Sequence, residues 1–152
     1  MYIKRKAILL IDVVLTICLV MILFYVTDLS LKNYYSAQYD QRKIQCEILD
    51  RALEGYGSKH LAIKTIEHDA EGKEKIVYQK TYPKDINELE KTGYVKLLSD
   101  DDMKLFKYIP KEETTYGDIK NITYYELKVK IPNTNTYYTS PGSDRSKYIA
   151  NN

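Results

Sequence analysis

Two histidines and a run of three aspartates are among the few residues of this chain whose types could take part in catalysis or metal binding. His60 and His68 have no cysteine or paired acid at metal-ligand spacing, so we expect both on the surface. The run from Asp100 to Asp102 offers oxygen atoms that suit Ca²⁺, but a solvated turn explains it more simply. The sequence also lacks a nucleophile elbow, a phosphate-binding glycine loop and a zinc-type cysteine pair. We therefore expect no enzyme activity, no metal site and no cofactor.

The two cysteines are not expected to form a disulfide with each other. Cys18 lies inside an apolar block and Cys46 well beyond it, too far apart on one continuous helix for a bridge. Cys46 is expected to be a small packed residue rather than the partner of a cysteine in another chain. The domain must then be stabilised by its core.

Asp12 is the one charged residue of an apolar block that runs from Ala7 to Val26. As a helix rising 1.5 Å per residue, this block spans roughly the 30 Å of a bilayer core. A carboxylate at lipid depth costs on the order of 2.5 to 3.5 kcal/mol and is kept where it has a partner. The acid either reaches the membrane edge near Lys4, Arg5 and Lys6, or pairs with a positive group on another subunit. We favour the second interpretation.

The basic cluster Lys4, Arg5 and Lys6 predicts the orientation of the membrane segment. Positive residues stay in the cytoplasm, so the N-terminus is expected inside and the domain outside. The apolar block runs directly into Asp28 and Lys32 instead of a small-residue cleavage site, so we expect it to remain in the mature protein.

The residues from Lys4 to Val14, KRKAILLIDVV, resemble the N-terminus of type IV pilins and of type II secretion pseudopilins. In that family a prepilin peptidase cuts a short basic leader after a small residue, and an acid occupies the fifth mature position. With Ala7 as the last leader residue, Ile8 becomes the first and Asp12 the fifth. The resemblance thus implies cleavage between Ala7 and Ile8, N-methylation of Ile8, and an inter-subunit charge pair between the Ile8 amine and Asp12 of a neighbour.

The resemblance also implies the partners and the location of the chain. Partners would be other copies or other pilin-like subunits, the prepilin peptidase, the inner-membrane machinery for pilus assembly or secretion, and membrane lipid. The chain would cross the cytoplasmic membrane once and then enter a surface or periplasmic filament for pilus assembly, protein secretion or DNA uptake. The first helix has neither Gly nor Pro before Gly55, which favours a minor pilin or pseudopilin.

One alternative function stays open at this point. The alternative is an uncleaved, signal-anchored ectodomain that acts as a sensor or scaffold. Bulk binding of nucleic acid is not expected under either interpretation. The net charge is +2, and because Lys4, Arg5 and Lys6 outnumber Asp12, the remainder of the chain is neutral.

The sequence predicts an α+β fold in which one long N-terminal helix packs on a small antiparallel sheet, as in pilins. The expected divisions are a leader at 1–7, a transmembrane half-helix at 8–26, an amphipathic half-helix at 27–57, an antiparallel sheet at 58–140 and a flexible tail at 141–152. The amphipathic half is expected to end at Gly55 and Gly57. Its predicted core stripe comprises Ile44, Ile48, Leu49, Ala52, Leu53 and Tyr56.

Alternation of apolar and polar residues predicts the strands. Residues 60–67 and 73–80 should form a hairpin, and Tyr125 to Ile131 should pair with Leu105 to Ile109. A short helix is expected from Asp85, ended by Gly93, and a last short strand at Thr136 to Thr139. Tyr34 and Tyr35, near the membrane exit, are expected to be interfacial or inter-subunit residues.

Overall fold

The chain begins with one long helix and continues with strands and two short helices. The structure is a computed structural model that describes residues 2–68, 70–96 and 99–143, with side chains described from residue 11 onward. The elements are helix α1 (Tyr2–Lys59), strands β1 (Leu61–His68) and β2 (Glu74–Lys80), helices α2 (Glu88–Lys91) and α3 (Asp100–Met103), and strands β3 (Phe106–Thr114), β4 (Lys120–Lys130) and β5 (Tyr137–Thr139). Two compact units divide within α1, at Met1–Tyr39 and Asp40–Asn152.

The architecture is α+β, as the sequence predicts. In the second unit, the C-terminal part of α1 packs on antiparallel strands, an arrangement consistent with a pilin-like fold. Strands β1 and β2 form the predicted hairpin, with Gly72 at a φ of 80° in its turn. Strands β3, β4 and β5 form a second sheet with β4 in its centre.

The sequence predicts one sheet, whereas the strands of the described residues form two. Strand β2 ends at Lys80, and one backbone bond, from the N–H of Tyr82 to the carbonyl of Ile122 at 2.8 Å, then joins the chain to β4. After this bond, the Pro83 carbonyl accepts a side-chain hydrogen bond, from the Tyr108 hydroxyl at 2.6 Å.

Strand β4 shows the alternation that the sequence predicts. Tyr125, Leu127 and Val129 are fully buried, whereas Glu126, Lys128 and Lys130 on the other face are partly exposed. The buried face packs against Leu49 and Leu53 of α1, Leu89 of α2 and Phe106 of β3. Aromatic packing adds to this core, since the ring centroids of Tyr82 and Tyr125 are 4.7 Å apart in an edge-to-face arrangement.

The predicted core stripe of α1 is wrong for Ile44 and Ile48. These two side chains are 58% and 48% exposed, whereas Cys46, Leu49 and Leu53 are buried. Leu49, Ala52 and Leu53 are core residues as predicted, and Tyr56 is half-buried against the core. Spacing of three and seven residues places Cys46, Leu49 and Leu53 on one helix face, and that face meets the strands.

The prediction that Cys46 is a packed residue is confirmed. Cys46 is fully buried, and both Cys18 and Cys46 are free thiols. Burial, with a smaller contribution from the acids Asp50 and Glu47, raises the pKa of the Cys46 thiol to about 12. The thiol therefore stays protonated and inert at neutral pH.

Helix α1 does not end at Gly55 and Gly57 but continues to Lys59. A Cβ at Gly57 would lie 2.9 Å from a ring carbon of Tyr82, so this glycine allows the chain after β2 to approach the helix closely. At this end of the helix, the His60 ring stacks on the Tyr56 ring, with ring centroids 3.8 Å apart. The His60 N–H donates to the Tyr56 carbonyl.

The side chain of Asp50 in α1 is only 3% exposed and connects the helix to other parts of the chain. Its carboxylate accepts hydrogen bonds from the Tyr125 hydroxyl at 2.8 Å, the Ser140 hydroxyl at 2.7 Å and the Gly142 N–H at 2.9 Å. These donors come from β4 and from the segment after β5. Burial and the adjacent Asp50 carboxylate raise the pKa of Tyr125, so its hydroxyl remains a donor.

The expectation of a flexible tail from residue 141 is wrong for residues 141–143, which are helical. Gly142 and Ser143 are buried, and the N–H of Leu127 in β4 donates to the Ser143 hydroxyl at 2.7 Å. A Cβ at Gly142 would overlap Asp50 and the Tyr125 hydroxyl, so only glycine fits there. Residues 144–152 lie outside the described part of the chain.

We predict that Asp50→Ala destabilises the domain strongly. The substitution leaves two buried hydroxyls and a backbone N–H without their acceptor, and we expect the free energy of unfolding to fall by about 3 kcal/mol or more. Urea unfolding of the full-length chain in detergent, followed by the near-UV circular dichroism of its tyrosines, measures this change. The control is Asp40→Ala, an exposed acid on the same helix. Equal stability of the two variants would contradict the role of Asp50.

Candidate assembly surfaces of the N-terminal helix

The N-terminal part of α1 is apolar and exposed. One helix, Ile11–Lys59, is long and apolar enough to cross a membrane by length and composition, and none of its most apolar 18-residue window is buried. Residues 13–27 contain no charged side chain. Exposed apolar side chains in this number distinguish the segment from the core helix of a soluble domain, which is mostly buried. The segment therefore needs lipid or other chains to cover it.

Two threonine hydroxyls in this apolar segment are satisfied by the helix itself. The hydroxyls of Thr16 and Thr27 donate to the carbonyls of Asp12 and Leu23, each at 2.7 Å. Such bonds to the preceding turn allow threonine to sit in an apolar environment. The carboxylate of Asp12 is exposed and forms no ion pair with any residue whose side chain the structure describes.

The other residues predicted for the cleavage and pairing site are placed only by their backbone. Lys4, Arg5, Lys6, Ala7 and Ile8 belong to α1, and their side chains lie outside the described residues. The fourth residue before Asp12 is Ile8, which is one helical turn away within the same chain. Cleavage, methylation and charge pairing at these positions stay predictions.

The end of the apolar segment is marked by an ion pair and by tyrosines. Lys32 and Asp28 are one turn apart and pair at 2.7 Å, fully at the surface. Tyr34 is exposed and accepts a hydrogen bond from Gln38, and its ring lies 5.7 Å from that of Tyr35. Tyrosines and charged residues at the end of an apolar helix are typical of a membrane-water interface.

In the second unit, α1 exposes a separate apolar pair, Ile44 and Ile48. The two residues are one turn apart, on the side of the helix opposite the buried Cys46. The sequence pattern assigned them to the core because they extend the apolar stripe, and it missed that both are exposed. The spacing of Cys46, Leu49 and Leu53 also predicts a buried face, on the other side of the helix. The pattern alone could not show which of the two faces is buried.

The remaining titratable candidates lie at the surface. His60 and His68 are exposed, as predicted. Asp100, Asp101 and Asp102 form the first turn of α3, where the N–H of Asp102 donates to the Ser99 hydroxyl, so the predicted solvated turn is a short capped helix. Among the described residues, no group of three or more His, Cys, Asp or Glu side chains is placed to hold a metal ion.

Comparison with known proteins adds no relative. No family model, no curated protein and no solved structure matches this chain.

We predict that the exposed pair contributes little to the stability of the isolated chain. Ile48→Ser and Ile44→Ser should each change the free energy of unfolding by less than about 1 kcal/mol, because both side chains already contact solvent. Leu49→Ser, at the neighbouring buried position, should cost about 3 kcal/mol or more. Urea unfolding of the three variants tests this difference. A loss at Ile48 equal to that at Leu49 would place Ile48 in the core.

Proposed function

We propose that this chain is a type IV pilin-like structural subunit, of the minor pilin or pseudopilin kind, of a membrane-anchored filament. One observation carries the proposal. The apolar segment of α1, which no described residue of its own chain covers, holds a single carboxylate, Asp12, near its N-terminal end. A basic cluster precedes it, and Ala7 stands where a cut after it would make Asp12 the fifth residue. The proposal assigns the helix to assembly and the second unit to the exterior of the filament.

The charge pair supplies the reason for Asp12. Cleavage after Ala7 would give Ile8 a free amine, which is a positive charge at the start of an apolar helix. Opposite charges attract far more strongly in an apolar medium than in water, and an unpaired buried charge is costly. The amine of one subunit and the Asp12 carboxylate of the next would therefore neutralise each other as the helices pack.

The apolar segment supplies the driving force for both states of such a subunit. Before assembly, lipid covers the segment in the cytoplasmic membrane, with the N-terminus inside and the domain outside. In a filament, the same surface would be covered by the helices of other subunits. The exposed Ile44 and Ile48 support this proposal, because they give the second unit an apolar surface on α1 that does not serve its core.

The mature N-terminus tests the proposal directly. We expect mass spectrometry of the native protein to find a chain that begins at Ile8 and carries an added methyl group. In cells without prepilin peptidase, the same protein should begin at Met1. If the native protein keeps its leader in cells that have the peptidase, the filament function is wrong. An anchored sensor or scaffold would then be the better interpretation.

We further predict that Asp12→Ala impairs filament assembly but not membrane insertion. Removing the carboxylate leaves the amine of the neighbouring subunit buried without a partner, so incorporation into sheared filaments should fall by about tenfold or more. The membrane-bound amount should stay the same or rise, because the apolar segment loses its one charge.

The matched controls for this prediction are Asp12→Glu and Asp28→Ala. Glutamate restores the carboxylate and should restore incorporation. Asp28 is an acid on the same helix with its own partner in Lys32, so its removal should have little effect. Normal incorporation of Asp12→Ala would exclude the charge pair.

A further inference from the structure

A cleft of about 560 Å³ opens in the second unit, beside the C-terminal end of β4. Arg42 of α1, Lys130 at the end of β4 and the turn that follows β4 form its polar walls. Leu105 and Ile131 supply its apolar lining. Its volume falls within the range of about 300 to 1,000 Å³ that is usual for small-molecule sites.

The cleft has two cationic side chains and no acidic one among the described residues that line it. Neither Arg42 nor Lys130 forms an ion pair with another described residue. Some other lysines of the domain are paired, as Lys80 is with Glu54 and Lys128 with Glu126. The cleft is therefore a local positive site on a domain whose total charge is close to neutral.

Arg42 is held in place before any ligand binds. The side chain is half-buried, and its guanidinium donates one hydrogen bond to the backbone carbonyl of Lys130 at 2.9 Å. A guanidinium carries five N–H donors, so most of them remain for a ligand. A positioned arginine binds a carboxylate through two parallel hydrogen bonds with little loss of side-chain entropy.

The turn after β4 places two amide side chains at the rim of the cleft. The N–H of Ile131 donates to the Thr136 carbonyl at 3.0 Å, and the Thr134 hydroxyl donates to the Ile131 carbonyl at 3.1 Å. Asn133 has a φ of 56°, a left-handed conformation that asparagine tolerates. Asn133 and Asn135 are exposed residues that line the cleft, so their amides are accessible to a ligand there.

These groups together select the chemistry of a ligand. At neutral pH, phosphate and sulfate only or almost only accept hydrogen bonds, so they would use the NH2 groups of Asn133 and Asn135 but leave the carbonyl oxygens of these amides without a donor. Hydroxyl groups both donate and accept, and so match an amide. A ligand with one carboxylate and several hydroxyls would satisfy the cations and the amides at once, and its C–H groups would contact Leu105 and Ile131.

We propose that this cleft binds an acidic saccharide, a sugar that bears a carboxylate. Arg42 and Lys130 hold the carboxylate, and Asn133 and Asn135 bind the hydroxyls. The site lies wholly in the second unit and needs neither cleavage of the leader nor assembly. Binding is therefore tested separately from the filament function, and either can fail without the other.

The test is a ligand-observed NMR titration of the full-length chain in an uncharged detergent. The probes are D-glucuronate, D-glucose as the same ring without a carboxylate, and sodium sulfate as a plain oxyanion. We expect saturable binding of glucuronate, with glucose and sulfate each weaker by about tenfold or more. Equal or tighter binding of sulfate would show a simple anion site and overturn the proposal, and so would equal binding of glucose or no saturable binding of glucuronate.

Paired variants assign the binding to the cleft. Arg42→Gln and Lys130→Gln should each weaken glucuronate binding by about tenfold. Arg51→Gln on the same helix and Lys128→Gln on the same strand, which do not line the cleft, should leave it unchanged. Unchanged binding in both cleft variants would overturn the proposal. Circular dichroism of each variant checks its fold, and Lys130→Gln provides the test if Arg42→Gln unfolds the domain.

Asn133→Gly separates recognition of the sugar from recognition of the charge. Glycine keeps the left-handed backbone of the turn but removes the amide. We expect this variant to bind glucuronate several-fold more weakly and sulfate as the parent does. An unchanged affinity for glucuronate would show that the amide does not contact the sugar, contrary to the proposal.

Discussion

The buried carboxylate of Asp50 is the interaction on which the second unit depends. It accepts hydrogen bonds from the Tyr125 and Ser140 hydroxyls and the Gly142 N–H, and through them α1, β4 and the segment after β5 meet at one point. A buried acid with fewer donors would destabilise the domain, because its charge would lack compensation. The apolar residues around it, including Cys46 and Leu53, exclude water and strengthen these bonds.

Asp12 and Asp50 each need a partner for a carboxylate among apolar side chains, and the partners have different sources. Both are acids in a helix whose neighbouring side chains are largely apolar. Asp50 receives its donors from its own chain, so it contributes to the fold. Asp12 receives none from the residues whose side chains are described, and the proposed filament would supply its partner from another subunit. In this proposal, an acid that stabilises the fold has its partner in its own chain, whereas an acid that serves assembly has its partner in another subunit.

Much of the fold was predictable from the sequence, because strands with one buried face alternate strictly and hairpins need turn residues. The β4 pattern and the β1–β2 hairpin are of this kind. The orientation of α1 could not be predicted from the sequence, because Ile44 and Ile48 fit an apolar stripe as well as Leu49 and Leu53 do. Which pair is buried depends on which face of the helix meets the strands. Asp50 was also not predictable, because its donors Ser140 and Gly142 lie in a segment whose composition is typical of a mobile tail.

The cleft beside Arg42 was missed for a related reason. Its cations come from α1 and from the end of β4, 88 residues apart, and no short motif joins them. The N-terminal pattern, in contrast, was readable because all its residues lie within one short stretch. Local patterns reveal sites made by consecutive residues, whereas sites made by tertiary contact become visible only with the fold.

The position of Gly142 has a consequence for the cooperativity of folding. Its N–H and the nearby Ser140 hydroxyl donate to Asp50, yet both residues follow the long helix and all the described strands in the chain. Until this segment has reached α1, the acid between helix and strands lacks two of its donors. The helix, the sheet and the segment after β5 are therefore expected to unfold together in one transition.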